Sequence, residues 1–483
     1  MLGFKNLIFG YSAAETEIER APELLIDGFY DLAGEEDSLQ TDANFVVMGY
    51  KGSGKSAIAQ RLSLLSDRLN PGFMAQKPIT LEDFPFTQFR RIVLSEGEPE
   101  SRFPLAWQLL LIVLLIDQMK DDATADGRSR LIMADTFKKL SQLNMNPSSR
   151  ELPTMVKRTA KTTFSSDAAR VFGYSREVQK ETREASLTAL HSHLLHIVTQ
   201  FRSKRRHLLL IDGLDDLLRA DSDHLQVLSG LLSAAGRLNK NLTDRGISAK
   251  VVVLCRTDLF ERLPGGNKNK IRQDSTLELD WYDDTRQPLK SHIVQMLNRR
   301  AALADPFVTD IFRQYFPSRI DNRSSRSWLL ALTRHTPRDA VQLMRYIQDH
   351  SKSEYEVLSR ELVLAGAREY SRNYLLPEMK DELNGVISPA EHDLTFAFLG
   401  AMRRTIYTIG ELKELQDSQA RFKSLDLESA LENLFECSAI GNKIEREEQE
   451  PFFVFRYRNP RSSLSLEHRV VLHRGLYKEL ILS

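Results

Sequence analysis

The stretch Phe45–Gln60, FVVMGYKGSGKSAIAQ, runs from an apolar strand through Gly49-Tyr50-Lys51-Gly52-Ser53-Gly54-Lys55-Ser56 into helical spacing at Ala57, Ile58, Leu62 and Leu65. A strand, a glycine-rich turn ending in Lys-Ser and a helix, in that order, is the context a P-loop requires. Gly49, Gly52 and Gly54 are expected to take positive φ and turn backbone N–H groups inward, where the dipole of the following helix also points. The product is a pocket for polyphosphate lined by Gly49 to Ala57. Lys55 neutralises the β- and γ-phosphates there, and the Ser56 hydroxyl is one ligand of an octahedral Mg²⁺.

A chain of 483 residues is long enough for about three domains. Its 66 Lys and Arg balance its 66 Asp and Glu, so no global basic field points to nucleic acid or an anionic membrane, and any such surface is local. Two cysteines, Cys255 and Cys437, each in an apolar setting, read as small buried hydrophobes in a reducing cytosol, with neither a disulfide framework nor metal spacing. The start, MLGFKNLIFGYSAAETE, lacks the features of a signal peptide. The longest apolar run, Leu109 to Ile116, falls short of the ~20 residues that cross a bilayer and reads as a buried helix.

Helical spacing over Ala14 to Leu32 leads toward the P-loop strand, and Phe89 to Leu94 is a further strand candidate. Helices are expected at Leu105–Met119, Arg130–Leu143 and Ala185–Phe201, with a polar Ser-, Thr-, Lys- and Arg-rich segment from Asn144 to Arg183. This region, about residues 100–201, reads as an insertion. Strand His207–Ile211, helix Ser222–Leu242 and strands Lys250–Cys255 and Ser275–Leu279 restore α/β alternation and imply a parallel sheet with its ligand at the strand carboxyl ends. Past Trp281, Leu289–Leu303, Pro306–Phe316, Ser325–Arg334, Arg338–Ser351 and Glu354–Asn373 read as a helical bundle. A last unit has helices Glu391–Met402, Ile409–Asp417 and Leu427–Ala439, then strands Phe452–Tyr457 and His468–Leu472, the order of a winged helix. The expected domains are a P-loop core over 1–287, a helical lid over 288–384 and a winged-helix-like module over 385–483.

Strand LLLIDGLDD ends in acid. Asp212 at its tip suits Mg²⁺, and Asp215 or Asp216 suits the water-activating base, the alternative being an acidic cluster that caps the next helix. Arg256 ends strand VVVLC beside the P-loop strand, either within reach of a γ-phosphate or as an ordinary exposed basic residue. Pro337 suits a first helical turn, and Arg338 either points back at phosphate or pairs with an Asp.

Together GYKGSGKS, LLIDGLDD, VVVLCRTD and HTPRDAVQL resemble the AAA-related P-loop ATPases, particularly the STAND class of signal-transduction ATPases. The resemblance implies a tiny residue after the Mg²⁺ acid (Gly213 after Asp212), a sensor arginine at Arg256, a nucleotide-contacting lid proline at Pro337 and a second sensor at Arg338. FGYSAAETE, with Phe9, Gly10 and Glu15, is similar to the segment that supports adenine in such proteins. KGSGKSAI, RTD, LDW, TPRD, IGN, FRYRNP and HRGL further resemble a bacterial family of compact P-loop ATPases. The long insertion departs from the pattern, and Gly213 replaces the second acid of typical AAA enzymes.

The same resemblance implies an ATP- and Mg²⁺-dependent switch with a separate effector protein, in anti-phage or stress signalling, while the cysteine usage and the short apolar run lead us to expect a cytoplasmic chain without membrane attachment. Homo-oligomers are expected, with Arg299 and Arg300 as weak candidates for a trans-acting arginine. The alternative is a DNA-associated loader whose wing, carrying Phe455, Arg456, Tyr457, Arg458 and Arg461, touches phosphates. Asn267-Lys268-Asn269-Lys270 lacks the acid of a guanine-recognition element and reads as a polar loop, favouring ATP. His191, His193 and His196 read as packing or solvent histidines, and Arg202–Arg206 as a solvated loop.

Overall fold

Apolar runs with no alternating polar face mark strands covered on both sides. β1 (Val46–Gly49), β4 (Arg206–Asp212) and β5 (Ala249–Arg256) contain such runs, and with the short strands β2 (Phe73–Ala75), β3 (Ile79–Thr80) and β6 (Thr276–Glu278) they build a parallel sheet. The order is β2-β4-β5-β1-β6, with β3 pairing the far end of β4. Every residue of β5 is buried, as is every residue of β1. The computed structural model of the protein describes residues 2–32, 34–41, 43–69, 72–81, 89, 99–143, 145, 171, 183–214, 222–265, 268–282, 287–351, 357–446 and 449–480.

By contacts the chain divides into two compact units. One holds Ala33–Tyr50 and Lys55–Leu279, and the other holds Met1–Leu32, Lys51–Gly54 and Asp280–Ser483. In the first, helix Pro99–Lys120 packs against helices Gly127–Gln142, Arg183–Val198 and Ser222–Asp244 and against β4. Its stretch Phe103–Lys120 is long and apolar enough to cross a bilayer, longer than the run read from the sequence, and 83% of it is buried inside the protein. Trp107 fixes its start by donating Nε1–H to the Val227 carbonyl at 2.8 Å. At its other end buried Asp122 accepts bonds from Thr124 Oγ1 at 2.7 Å and from Ser203 and faces His207 Nε2 at 3.0 Å, tying the insertion to the start of β4.

Several sequence expectations shift here. The strand expected at Phe89–Leu94 lies outside the described residues except for Phe89, which is helical, and β2 and β3 form the sheet edge instead. The segment expected between Asn144 and Arg183 is also almost wholly outside the described residues. Lys268–Lys270, read as a polar loop, opens helix Lys268–Ser275.

The second unit begins with an N-terminal helix broken in two, Ala14–Arg20 and Glu23–Ile26, because Pro22 cannot continue the first. Phe4 sits among Phe9, Tyr315 and Phe316, with ring centroids 5.4–5.8 Å away. The later helices of this unit are His292–Ala304, Ile311–Gln314, Ser325–Leu332, Pro337–His350, Arg360–Tyr370 and Leu376–Leu383. Pro306–Phe316, expected to be one helix, is helical only from Ile311, where the Asp310 side chain caps the free N–H groups of Phe312 and Arg313. A π-turn at Ser371–Leu375 joins the last two helices, since Pro377 has no N–H to extend a regular ladder. Two short strands, β7 (Arg319–Ile320) and β8 (Arg323–Ser324), form a hairpin whose turn residues Asp321 and Asn322 both have positive φ, 47° and 61°, the pattern of a type I′ turn.

The chain ends with helices Pro389–Ala401, Ile409–Ser418 and Leu427–Glu436 and strands β9 (Ile406–Tyr407), β10 (Ile440–Arg446), β11 (Gln449–Val454) and β12 (Arg469–Leu472). The sheet is antiparallel in the order β11-β10-β12-β9. Helix Leu427–Glu436 stops three residues short of the expected Ala439, Ser438 turns the chain at φ 61°, and β10 begins at Ile440.

Candidate functional site

Gly49 is not a turn residue. It is the last residue of β1 and pairs in register with Arg256 of β5, which corrects the expectation of positive φ there. The loop turns at Gly52 (φ 80°) and Gly54 (φ 98°), where an L side chain is strained. A Cβ on Gly54 would meet no atom within 4 Å, so the backbone angle, not crowding, selects glycine and leaves open space before the loop. Lys55 starts helix Lys55–Leu69, and its buried ammonium donates to the Gly49 and Tyr50 carbonyls at 3.1 Å each. Ser56 and Ala57 come next in the first turn, with their side chains partly exposed.

Lys51–Gly54 also contacts the helical half of the chain. The Arg338 N–H donates to the Gly52 carbonyl at 3.3 Å, and a Cβ on Gly52 would lie 3.0 Å from Arg338 Cβ. Trp281 Nε1–H donates to the Ser53 carbonyl at 2.8 Å. Thr336 caps helix Pro337–His350 by accepting from the Asp339 N–H, and Pro337 occupies the first turn as expected. The Arg338 guanidinium bonds the Ser12 carbonyl at 2.9 Å and Glu378 Oε1 at 3.4 Å. The same Glu378 oxygen holds Lys51 Nζ at 3.0 Å.

Asp212 ends β4 in register with Thr80, and its Oδ1 accepts from the Gly213 N–H at 2.8 Å. Gly213 has φ 75°, and a Cβ there would lie 3.0 Å from the Leu81 nitrogen, so both backbone angle and space demand the tiny residue. Asp215 and Asp216 lie outside the described residues. Arg256 ends β5 beside β1, as read from the sequence, but it is buried and its guanidinium grips Asp258 two residues on, at 2.9 and 2.5 Å. Burial alone would raise the Asp258 pKa. The Arg256 charge and hydrogen bonds, the Leu259 N–H and the charge of Lys55 outweigh it and hold the carboxyl below its usual range.

Arg300, a candidate trans-acting arginine in the sequence, is buried, donating to Glu17 Oε1 at 2.7 Å and the Phe9 carbonyl at 2.8 Å, while Arg299 donates to the Asp27 carbonyl. That buried pair leaves no room at Gly10 for a side chain, and Glu17 also accepts from the Tyr11 N–H at 3.0 Å, which fixes the Phe9-Gly10-Tyr11 segment. Arg456 is held by Glu436 at 3.1 Å and the Ser462 carbonyl at 2.9 Å. Arg458 donates to Tyr457 Oη at 2.8 Å and lies over the rings of Tyr282, Phe455 and Tyr457. Arg461 is exposed.

A parallel α/β sheet whose glycine loop leaves a central strand, with an acid and an arginine at neighbouring strand tips, is a P-loop NTPase-like fold. A family model described as the FunZ-associated C-terminal helical domain matches residues 289–376. No curated protein matches the chain. A solved structure, the crystal structure of Cdc6p from Pyrobaculum aerophilum, is similar over 75% of this chain and 98% of that one, at 12% identity and a TM-score of 0.23, a superposition too loose to bear on function.

Three residues of the site escaped the sequence reading. Asp258 and Trp281 stand inside RTD and LDW, so their neighbours flagged them, whereas Glu378 lies 40 residues beyond Arg338 in a segment with no motif.

Proposed function

We propose that this chain binds Mg²⁺-ATP on Gly49–Ser56 and hydrolyses it as a molecular switch of the STAND or AAA-like type. The observation that carries the reading is Lys55, a buried ammonium in the first turn of a helix, resting on the carbonyls of a loop whose Gly54 faces open space. A helix N-terminus and an ammonium at a glycine-rich loop together favour an anion, and polyphosphate is the anion such a loop accepts. Ser56 and Asp212 fit a hard oxygen-seeking cation, and Mg²⁺ held there supplies charge neutralisation on the phosphates. Water oxygen attacks the γ-phosphorus, the bond to the β,γ-bridging oxygen breaks, and Asp215 or Asp216 takes the water proton, leaving ADP and phosphate. Arg256, released from Asp258, and Arg338, beside Gly52, respond to the γ-phosphate, with Pro337 against the nucleotide.

In this reading residues 288–384 are the lid and 385–483 a winged-helix-like module, a label supported by its helix, strand, two helices and three strands in order. The output is anti-phage or stress signalling in the cytoplasm through a separate effector, with self-assembly as a further expectation. The alternative, a DNA-associated loader acting through the wing, is weakened by the internal partners of Arg456 and Arg458. Lys55→Ala is expected to lower ATP turnover at least ~100-fold, as loss of a main phosphate-stabilising charge does. Turnover equal to wild type in that variant overturns the ATPase reading.

A further inference from the structure

The β7–β8 hairpin carries a concentration of positive charge that no part of the nucleotide reading uses. At its turn, Asp321 Oδ1 takes Arg360 at 3.0 Å, and Oδ2 takes Trp328 Nε1 at 3.2 Å, Lys478 at 3.7 Å and Arg474 at 4.0 Å. Arg319 and Arg323 stand on the same hairpin. Arg319 is exposed and donates to the Asn322 carbonyl at 2.7 Å, while Arg323 is exposed and forms no ion pair among the described residues. One carboxylate therefore holds three cations, and two more arginines stand on the same hairpin.

Glu479 pairs with Arg372 at 2.9 Å, and Glu361 is held by its own backbone and Ser359 at the start of helix Arg360–Tyr370, where its charge also acts on Arg360. Burial, and after it the charge of Arg323, pushes the Arg474 pKa below its usual value, so the cluster repels itself. In a chain of zero net charge this excess is local. It is not a basic run either, since the fold assembles it from residues 319–323, 360 and 474–478.

We infer that this cluster binds the phosphodiester backbone of a nucleic acid. Four of the five cations are arginines, whose planar forks match phosphate oxygens in pairs. Asp321 holds three cation heads together and offers the partner that a phosphate group displaces, while Arg319 and Arg323 extend the charge along the hairpin, which suits a polymer of repeated anions better than a single one. Contacts of this kind position a strand without reading its sequence.

The test is fluorescence anisotropy with the full chain, using a labelled DNA duplex and a labelled single-stranded RNA over a salt series, with polyglutamate as competing polyanion. Wild type is expected to bind at low salt, with affinity falling linearly in the logarithm of salt. Arg323→Ala, which removes an exposed side chain without an ion pair, is expected to make that slope shallower by about 1, and R323A/R360A by about 2 with at least a ~10-fold weaker Kd. R456A, at a site with internal partners, is expected to bind as wild type. No binding at low salt, or an unchanged Kd and slope in R323A/R360A, overturns the inference. So does polyglutamate competing as well as unlabelled DNA at equal charge, which marks the surface as one for an acidic protein.

Discussion

At the scale of single residues, one carboxylate oxygen stands between the loop and its arginine. Glu378 Oε1 lies 3.0 Å from Lys51 and 3.4 Å from Arg338, so two cations that a polyphosphate would attract are partly neutralised from within. Glu378→Gln removes both that competition and a negative charge near the incoming phosphates. It is expected to tighten nucleotide binding about fivefold, or about 1 kcal/mol, the upper range for partly exposed ion pairs. Titration with a fluorescent ATP analogue reads this, and an unchanged or weaker Kd contradicts it. Arg256 is held in the same manner by Asp258, so both arginines assigned to the γ-phosphate already have protein anions as partners.

At the scale of elements, the helix that carries Pro337 and Arg338 depends on two small features. Thr336→Ala deletes its N-cap and is expected to cost about 1 kcal/mol. Gly366 of helix Arg360–Tyr370 touches this helix backbone to backbone, since a Cβ there would fall 2.6 Å from Ile347 Cα. Gly366→Ala is expected to cost about 1–3 kcal/mol by overpacking. Denaturant midpoints with an unchanged slope check both. The long elements were legible because their patterns are long: Ser222–Asp244 has a continuous leucine face, and β5 carries an unbroken β-branched and apolar run from Val251 to Cys255. The short ones were not. β2 and β3 have three and two residues, too few for any period, and gain their stability from β4. β10 was hidden because Ala439 and Ile440 continue the apolar spacing of the helix before it, and only the positive φ of Ser438 separates them. In the site, the loop, Asp212 and Arg256 were readable from local motifs, whereas Glu378 and the Asp321 cluster arise from tertiary folding of distant segments.

At the scale of the whole molecule, buried neutral histidines set an acid limit on stability. His335 stacks on Tyr457 with ring centroids 5.7 Å apart, and His473 lies edge-on to the same ring. Burial first, and then the nearby charge of Arg458, brings both pKa values down to about 3 from the ordinary 6.5. Above the ordinary value neither folded nor unfolded chain is protonated at these sites, and they add no pH dependence. Below it the unfolded chain takes up protons that the native one refuses, so stability falls progressively toward pH 3, by about 2 kcal/mol for each histidine at about pH 5. Urea titrations at neutral pH and about pH 5 measure this, and equal midpoints contradict it. The N-terminal segment has a consequence in time. Phe4, Phe9 and Glu17 find their partners in Arg300, Tyr315 and Phe316, nearly three hundred residues later. At roughly 5–20 residues per second of synthesis, these residues are made some 15–60 seconds before Arg300, Tyr315 and Phe316 exist for them to pack against. Until then, of these partners, Phe4 and Phe9 have only each other.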